Sequence, residues 1–510
     1  MIRKAKTENG WVKGIEAADP RITAFKGIPF AAPPTGKNRW RAPQPCENWE
    51  GVREAYRFAP ISVQDTPGLG DDIYCREWHV DPEIEMGEDC LYLNIWTSAK
   101  NDEERQPVLV WFYGGGLQWG YPAEMEFDGE RLARRGVVVV TVNYRINVFG
   151  FLAHPQITQE QPDTPTNFGY LDQQAGLKWV VRNIAAFGGD PKNITIAGQS
   201  AGGGSVLSQM TCPDNNGLFQ KAVIMSAMIR SPYVPGGIGV PQPLEEAEKC
   251  GETFFELLGI SSLDEARELD AFQVLQKYNE YAKDHPRMFS VLDHKFCVGD
   301  PMVLFLQGKH VDVQVMAGNT GGEFPSTISA DSMEELKKKA VELFGDKADQ
   351  FLQFPETLQQ TGSGQYAAVN GIELTAKGIF SERKKAGDPR NYYYYRFDPD
   401  IPGWDNPGTF HSVDLWFFFE TLAKCWRPFV GRHYDLARQM CNYWANFIKT
   451  GDPNGKDADG SPMPEWRPYT AEAPCDMVFS PQGAAPVYDK ESAYKLFLIE
   501  KITDSLKGQA

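Results

Sequence analysis

Between about residues 105 and 230 the chain alternates short β-branched apolar runs with longer stretches whose apolar positions recur at helical spacing. Val108 to Tyr113 and Val137 to Val142 are apolar at consecutive positions, the pattern of strands covered on both faces. Leu177, Val180, Val181 and Ile184 follow at i, i+3, i+4 and i+7, one face of a helix. Gly188-Gly189 then supplies a residue that reaches the left-handed conformation at which helices commonly stop. Ile194 to Ala197 returns as a strand, and Ala222 to Met225, Val313 to Ala317 and Tyr392 to Tyr395 add three more. Strands alternating with helices predict parallel pairing through crossover connections, and so a large central sheet built from segments far apart in sequence.

The pattern changes in two places. Charged amphipathic stretches such as Glu245-Glu246-Ala247-Glu248-Lys249 and Glu334-Glu335-Leu336-Lys337-Lys338 predict helices inserted between core strands, at about residues 230–300 and 330–390. A final helix is predicted by Leu436, Met440, Tyr443, Trp444, Phe447 and Ile448, stopped by Gly451-Asp452-Pro453. No repeat, low-complexity tract or Gly/Pro/Ser-rich linker divides the 510 residues, so they read as a single α/β domain with helical insertions.

Composition narrows the functional classes. Lys and Arg number 51 against 68 Asp and Glu, a formal charge of −17 whose field repels phosphate backbones and anionic membranes, so no nucleic-acid partner is expected. No apolar run approaches the ~18–20 residues of a spanning helix, so no membrane span is expected. The first residues mix Arg3, Lys4, Lys6, Glu8 and Lys13 with no apolar stretch of ~7–15 residues, which predicts a cytoplasmic protein, or a secreted one if a leader has been removed. Nine scattered cysteines read mostly as buried free thiols. Oligomeric state is not legible.

The sharpest chemical feature is Gly198-Gln199-Ser200-Ala201-Gly202, directly after the strand Ile194 to Ala197 and before a predicted helix from Ala201 to Met210. A nucleophilic serine must project from a sharp strand-to-helix turn, and glycines two positions either side remove the Cβ atoms that would collide there. The helix start also offers unpaired N–H groups and a positive dipole end to a developing oxyanion. Tyr113-Gly114-Gly115-Gly116 follows the strand Val108 to Phe112 and can turn further amides inward. It lacks the G-x-G-x-x-G spacing of a dinucleotide loop, and no acidic residue follows a second strand at the right distance.

A serine nucleophile needs a base, and seven histidines are available: 79, 154, 285, 294, 310, 411 and 433. Under the chain order Ser, acid, His, the first two are ruled out, and His411 stands out in Gly408-Thr409-Phe410-His411-Ser412-Val413-Asp414-Leu415-Trp416. The orienting acid should lie just beyond a strand between them, and Glu323 in Gly318-Asn319-Thr320-Gly321-Gly322-Glu323-Phe324 follows Val313 to Ala317. No H-E-x-x-H motif or cysteine-histidine ladder is present, so no metal or other cofactor is expected.

These segments, with Glu88-Asp89-Cys90-Leu91-Tyr92-Leu93-Asn94-Ile95-Trp96 and Gly188-Gly189-Asp190-Pro191, together resemble the type-B carboxylesterase family, which includes the cholinesterases. The likeness runs from Phe25-Lys26-Gly27-Ile28-Pro29-Phe30 to Gly451-Asp452-Pro453. The resemblance implies an α/β-hydrolase fold with helical insertions over the active site, and a serine esterase acting on small carboxylic esters. By position it implies Ser200 as nucleophile, His411 as base and acid, Glu323 as orienting carboxylate, and Gly115, Gly116 and Ala201 as oxyanion donors. Ser226 matches a serine that supports the triad region in relatives.

The sequence also departs from that family. Ser226-Ala227-Met228 replaces a small Ser-Gly-Ser run, Leu117 stands where an aromatic often follows the third glycine, and Asp414 takes the place of the usual Glu three residues after the histidine. Cys75 and Cys90 align with cysteines that close a surface loop in secreted relatives, with only 14 residues between them, which leaves a disulfide open. Trp78 lies near the choline-binding tryptophan of cholinesterases, but the shortened loop gives no secure alignment and choline specificity is not expected. Leu117, Trp119, Phe410 and Trp416 are the expected pocket residues and short-chain or aryl acyl esters the expected substrates; the rings of Trp119, Trp404, Phe410 and Trp416 to Phe419 fit an aryl group, and the weightier alternative is that they simply pack the core under the histidine loop. Two other readings keep the same chain: a non-catalytic cholinesterase-like binding module, and an acyltransferase using the same triad.

Overall fold

The computed structural model describes residues 1–234 and 239–509. Its centre is an eleven-stranded sheet. In chain order the strands are β1 (Ile15–Glu16), β2 (Thr23–Pro29), β3 (Tyr92–Thr97), β4 (Gln106–Phe112), β5 (Val138–Val142), β6 (Gly189–Gln199), β7 (Lys221–Met225), β8 (Gln314–Thr320), β9 (Tyr392–Phe397), β10 (Asp476–Ser480) and β11 (Gly483–Val487). Across the sheet they lie in the order β11-β10-β9-β8-β7-β6-β4-β5-β3-β2-β1. Every pair from β10 through β5 is parallel, as the alternating pattern predicts, and the pairs at both margins are antiparallel. The all-apolar runs are the doubly covered centre: β5 is buried throughout, and β4 from Val108 onward.

The margins are where the structure adds to the sequence reading. β2 carries Lys26 in mid-strand and ends on Pro29, so it shows neither a clean apolar run nor strict alternation. β10 and β11 form a hairpin, and Pro486 lies in β11, tolerable because that strand is the sheet's edge. The helix predicted around Leu436 spans Gly431–Thr450 and ends on Gly451 with φ 81°, but it is not the last. Ala493–Gly508, capped by the Ser492 side chain, follows it and packs on the helix Gly371–Lys385.

Helices leave the sheet between β7 and β8 (Leu244–Leu258, Leu263–Glu268, Ala271–Tyr281) and between β8 and β9 (Met333–Phe344, Ala348–Leu352, Gly371–Lys385). One contiguous apolar cluster runs from Ala5 to Leu506 and includes residues of both helical segments. All nine cysteines are free; the Cys75 thiol donates to Asp72 Oδ2 at 3.3 Å while Cys90 is buried, so the loop between them carries no disulfide. Among the described residues no helix is long and apolar enough to cross a membrane.

The chain reverses its direction of travel across the sheet at β4. β5 lies on one side of it and β6 on the other, and from there the order proceeds outward to β9. Loops leaving the carboxyl ends of β4 and β6 therefore diverge and open a crevice, the place where sheets of this kind hold ligands.

Candidate active site

Both glycine-rich segments leave the sheet at that crevice. β6 ends at Gln199 and the helix Ala201–Thr211 starts at once, so Ser200 alone makes the turn, with φ 56° and ψ −126°. Such a conformation costs an L-residue about 1–3 kcal/mol and persists only where its surroundings enforce it. Here the Ser200 N–H donates to Met225 O at 2.9 Å, and the Ser200 carbonyl accepts from the Gly204 N–H at 2.9 Å. A Cβ on Gly202 would lie 2.1 Å from Phe112 O and one on Gly198 2.3 Å from Gly202 O, so the flanking glycines are required by space.

Glu323 follows β8, and His411 lies in the loop after β9. A bridge between Gly322 and Phe410, with the Gly322 N–H donating to Thr409 O at 2.9 Å, brings the two loops together. Glu323 Oε2 then stands 2.5 Å from His411 Nδ1. Its other oxygen accepts from the Ser226 hydroxyl at 2.6 Å, the Thr320 hydroxyl at 3.0 Å and the Thr320 N–H at 3.1 Å. Burial alone would push the Glu323 carboxyl up, but the adjacent His411 and these hydrogen bonds outweigh it and hold the group below its ordinary value. Glu323 is thus an ionised carboxylate fixed on one imidazole nitrogen. Ser226 supports it although Ala227-Met228 follows.

Asp414, three residues after His411, is fully buried. Its Oδ2 accepts from the Tyr395 hydroxyl at 2.8 Å, and among the described residues Oδ1 has no partner. Burial, reinforced by Glu323 and opposed by Tyr395, pushes its carboxyl up to about 7.

Gly115 and Gly116 take φ 99° and 64°, left-handed values that turn the backbone after β4 back on itself. A Cβ on Gly115 would lie 2.3 Å from Trp119 O. Among the described residues no acceptor pairs with the N–H groups of Gly115, Gly116 or Ala201. Gly115 and Gly116 share one cavity of about 500 Å³ with Ser200 and His411.

The cavity wall differs from the expected one. Trp119 lines it, its indole N–H donating to Asp65 at 2.9 Å. Leu117, Phe410 and Trp416 do not. Leu117 is buried beside Asn147, whose N–H donates to its carbonyl at 2.7 Å. Phe410 stacks behind Trp78, and Trp416 is fully buried with its indole N–H on Glu77 at 3.2 Å. The aromatic wall is instead Tyr74, Trp78, Trp119, Phe127 and Phe324, interspersed with Asp65, Asp72, Glu124 and His79. Tyr74, Trp78, Asp65, Asp72 and His79 come from residues 64–79, a segment with little periodicity and one short helix, Ile73–Glu77.

Neither helical insertion contributes a lining residue to the cavity. The first braces it from behind: Tyr278 donates to Gln118 at 2.8 Å and Asn279 to Asp65 at 2.6 Å. Phe324 had one sequence signal, its place next to Glu323, and its ring centroid lies 5.0 Å from that of His411. Gln199, inside the serine motif, was also overlooked; its side-chain Nε2 lies 3.3 Å from His411 Nε2.

Among the described residues one carboxylate group has metal-site spacing: Glu373, Asp476 and Glu491. Lys377 Nζ stands within it, 2.8, 2.6 and 2.6 Å from the three, so an ammonium already fills that place.

Comparison with known proteins agrees with this geometry. A model of the carboxylesterase family matches residues 3–361 and 329–492. The fumonisin B1 esterase of Sphingopyxis macrogoltabida is 31% identical over 473 residues, covering 88% of this chain and 82% of that protein. The cholinesterase of Mus musculus is 30% identical over 502 residues, 90% of this chain and 80% of that one. Among solved structures, a PNB esterase superposes with a TM-score of 0.76 at 27% identity, over 98% of this chain and all of that one. A Geobacillus stearothermophilus carboxylesterase gives 0.73 at 29% identity, over 96% and 98%. An α/β-hydrolase sheet, a strained serine at its switch point and a family match along nearly the whole chain converge: the protein belongs to the carboxylesterase family and is a carboxylic ester hydrolase.

Proposed function

We propose that Ser200 is the nucleophile, His411 the general base and acid, and Glu323 the carboxylate that orients and charges the imidazole. The carrying observation is the chain of contacts Ser226–Glu323–His411 closing on the cavity that holds the strained Ser200. His411 Nε2 takes the hydroxyl proton as Ser200 Oγ attacks the ester carbonyl. The N–H groups of Gly115, Gly116 and Ala201 receive the oxyanion, each such donor contributing about 2.7–4 kcal/mol in comparable sites. His411 then gives its proton to the departing alcohol, and water repeats the attack to release the acid.

The aromatic wall supports neutral short-chain or aryl acyl esters as substrates, since flat rings pack against Trp78, Trp119 and Phe324. Asp65, Asp72 and Glu124 disfavour an acyl group that carries its own carboxylate.

Stoichiometric labelling by a serine-directed organophosphate, mapped by mass spectrometry, tests the nucleophile: the adduct is expected on Ser200, and a label elsewhere overturns the assignment. A panel of acetyl, butyryl, feruloyl and long-chain esters tests the wall. Preference for long chains would contradict the substrate reading. Added amine or alcohol acceptors would divert the acyl group only if the protein were a transferase.

A further inference from the structure

The imidazole nitrogen that must take the Ser200 proton already has a partner. His411 Nδ1 lies 2.5 Å from Glu323 Oε2, and an ionised carboxylate only accepts, so in the neutral ring Nδ1 carries the hydrogen and Nε2 the lone pair. Gln199 Nε2 stands 3.3 Å from that lone pair. An amide nitrogen only donates, so the Gln199 N–H points at it. Gln199 is 2% exposed, which leaves its amide little access to water. Among the described residues no other side chain bonds His411 Nε2, and the Ser200 hydroxyl makes no hydrogen bond to it.

We propose that Gln199 is a positioning residue that holds the resting base: its side-chain N–H caps His411 Nε2, and each catalytic cycle begins by exchanging that bond for one from Ser200. The proposal deepens the triad reading above and rests on it. The capping bond exists only while Nε2 is unprotonated, so Gln199 favours the neutral, base-competent imidazole. Once Nε2 has taken the serine proton it becomes a donor, and the Gln199 N–H no longer has an acceptor there. The amide must then withdraw, or turn so that Oε1 accepts from the new Nε2–H. Gly114 leaves room for it: a Cβ there would sit 3.2 Å from Gln199 Oε1. Gln199 also lines the cavity, so an arriving ester meets the amide as the exchange takes place.

The test is the pH profile of kcat/KM for p-nitrophenyl acetate in the wild type, Gln199→Leu and Gln199→Glu, each titrated with organophosphate to count assembled sites. Gln199→Leu removes a bond made only by the neutral ring, so the acid limb is expected to move to higher pH by roughly half to one unit. Gln199→Glu is expected to move it further, because a carboxylate accepts from the protonated Nε2. Acid limbs that coincide in fully labelled variants would overturn the proposal. Should neither variant assemble, ¹⁵N NMR of the histidines decides it: the His411 Nε2 resonance is expected at the same position in wild type and Ser200→Ala, and a shift on losing the hydroxyl would show that Ser200 holds the nitrogen. A folded wild type that takes no label would overturn the triad reading itself, which separates that failure from this one.

Discussion

At the scale of single residues the site is set by what each side chain can accept or donate once water is excluded. Asp414 shows the cost of that exclusion. Its carboxyl, pushed up to about 7 by burial, holds a proton in the native protein over a pH range where the unfolded chain, near 3.8, has lost it. A native group that binds protons more tightly makes stability fall as pH rises between those values, by on the order of 4 kcal/mol at most. Asp414→Asn removes the titration. Relative to wild type, the variant is therefore expected to melt progressively higher between pH 4.5 and 8, as thermal scans at the two ends would show. A melting difference independent of pH would contradict the account. The sharp turn at Ser200 was legible because its neighbours are sterically constrained: Gly198 and Gly202 leave no room for a Cβ, and such glycines show in a sequence. Gln199 was not, since its contact with His411 spans 212 positions and carries no local pattern.

At the scale of elements, the turn from β6 into the helix Ala201–Thr211 concentrates the strain. Two glycines two residues apart on that helix make opposite predictions. Gly202→Ala drives a Cβ to 2.1 Å from Phe112 O, which belongs to the neighbouring strand and cannot yield cheaply. It is expected to lower the melting temperature and to abolish organophosphate labelling together, because Ser200 moves with the turn. Gly204→Ala meets nothing within 4 Å and relieves a glycine in a helix, so stability is expected to rise by about 0.5–1 kcal/mol with labelling intact. Equal effects of the two substitutions would mean that space at the turn does not shape the site. Strands buried on both faces announce themselves as apolar runs, and β4 to β9 were visible for that reason. The margin strands β2 and β11 were not, since Lys26 and Pro29 break the apolar run of one and Pro486 that of the other, which is the sheet's edge. The cavity wall was least legible: residues 64–79 are held by tertiary contacts, and neither the period of a strand nor that of a helix marks them.

At the scale of the whole molecule, the sheet places the loops after β4, β6, β8 and β9 around one crevice, while charge burial far from it ties the last strands and helices to the core. Lys377, 1% exposed, pairs with Glu373, Asp476 and Glu491. Burial would lower its ammonium, but the three carboxylates outweigh it and raise the group. Glu373, which burial alone would raise, is held at about 2 by Lys377 and Lys495. The stability this carboxylate contributes is full above its ordinary 4.5 and is lost as pH falls toward 2. Lys377→Met strands the carboxylates and is expected to cost about 3–5 kcal/mol at neutral pH, shrinking in acid as they take up protons, with labelling of Ser200 retained. An unchanged melting point at pH 7 would contradict that picture. The central claim, a covalent ester hydrolase acting through one strained serine, is tested most directly by kcat of Ser200→Ala on p-nitrophenyl butyrate beside its melting temperature. A fall on the order of 10⁴-fold or more with unchanged melting is the predicted result, since the fold survives and only the acyl acceptor is gone. Turnover within a few fold of wild type in a fully folded variant would contradict it.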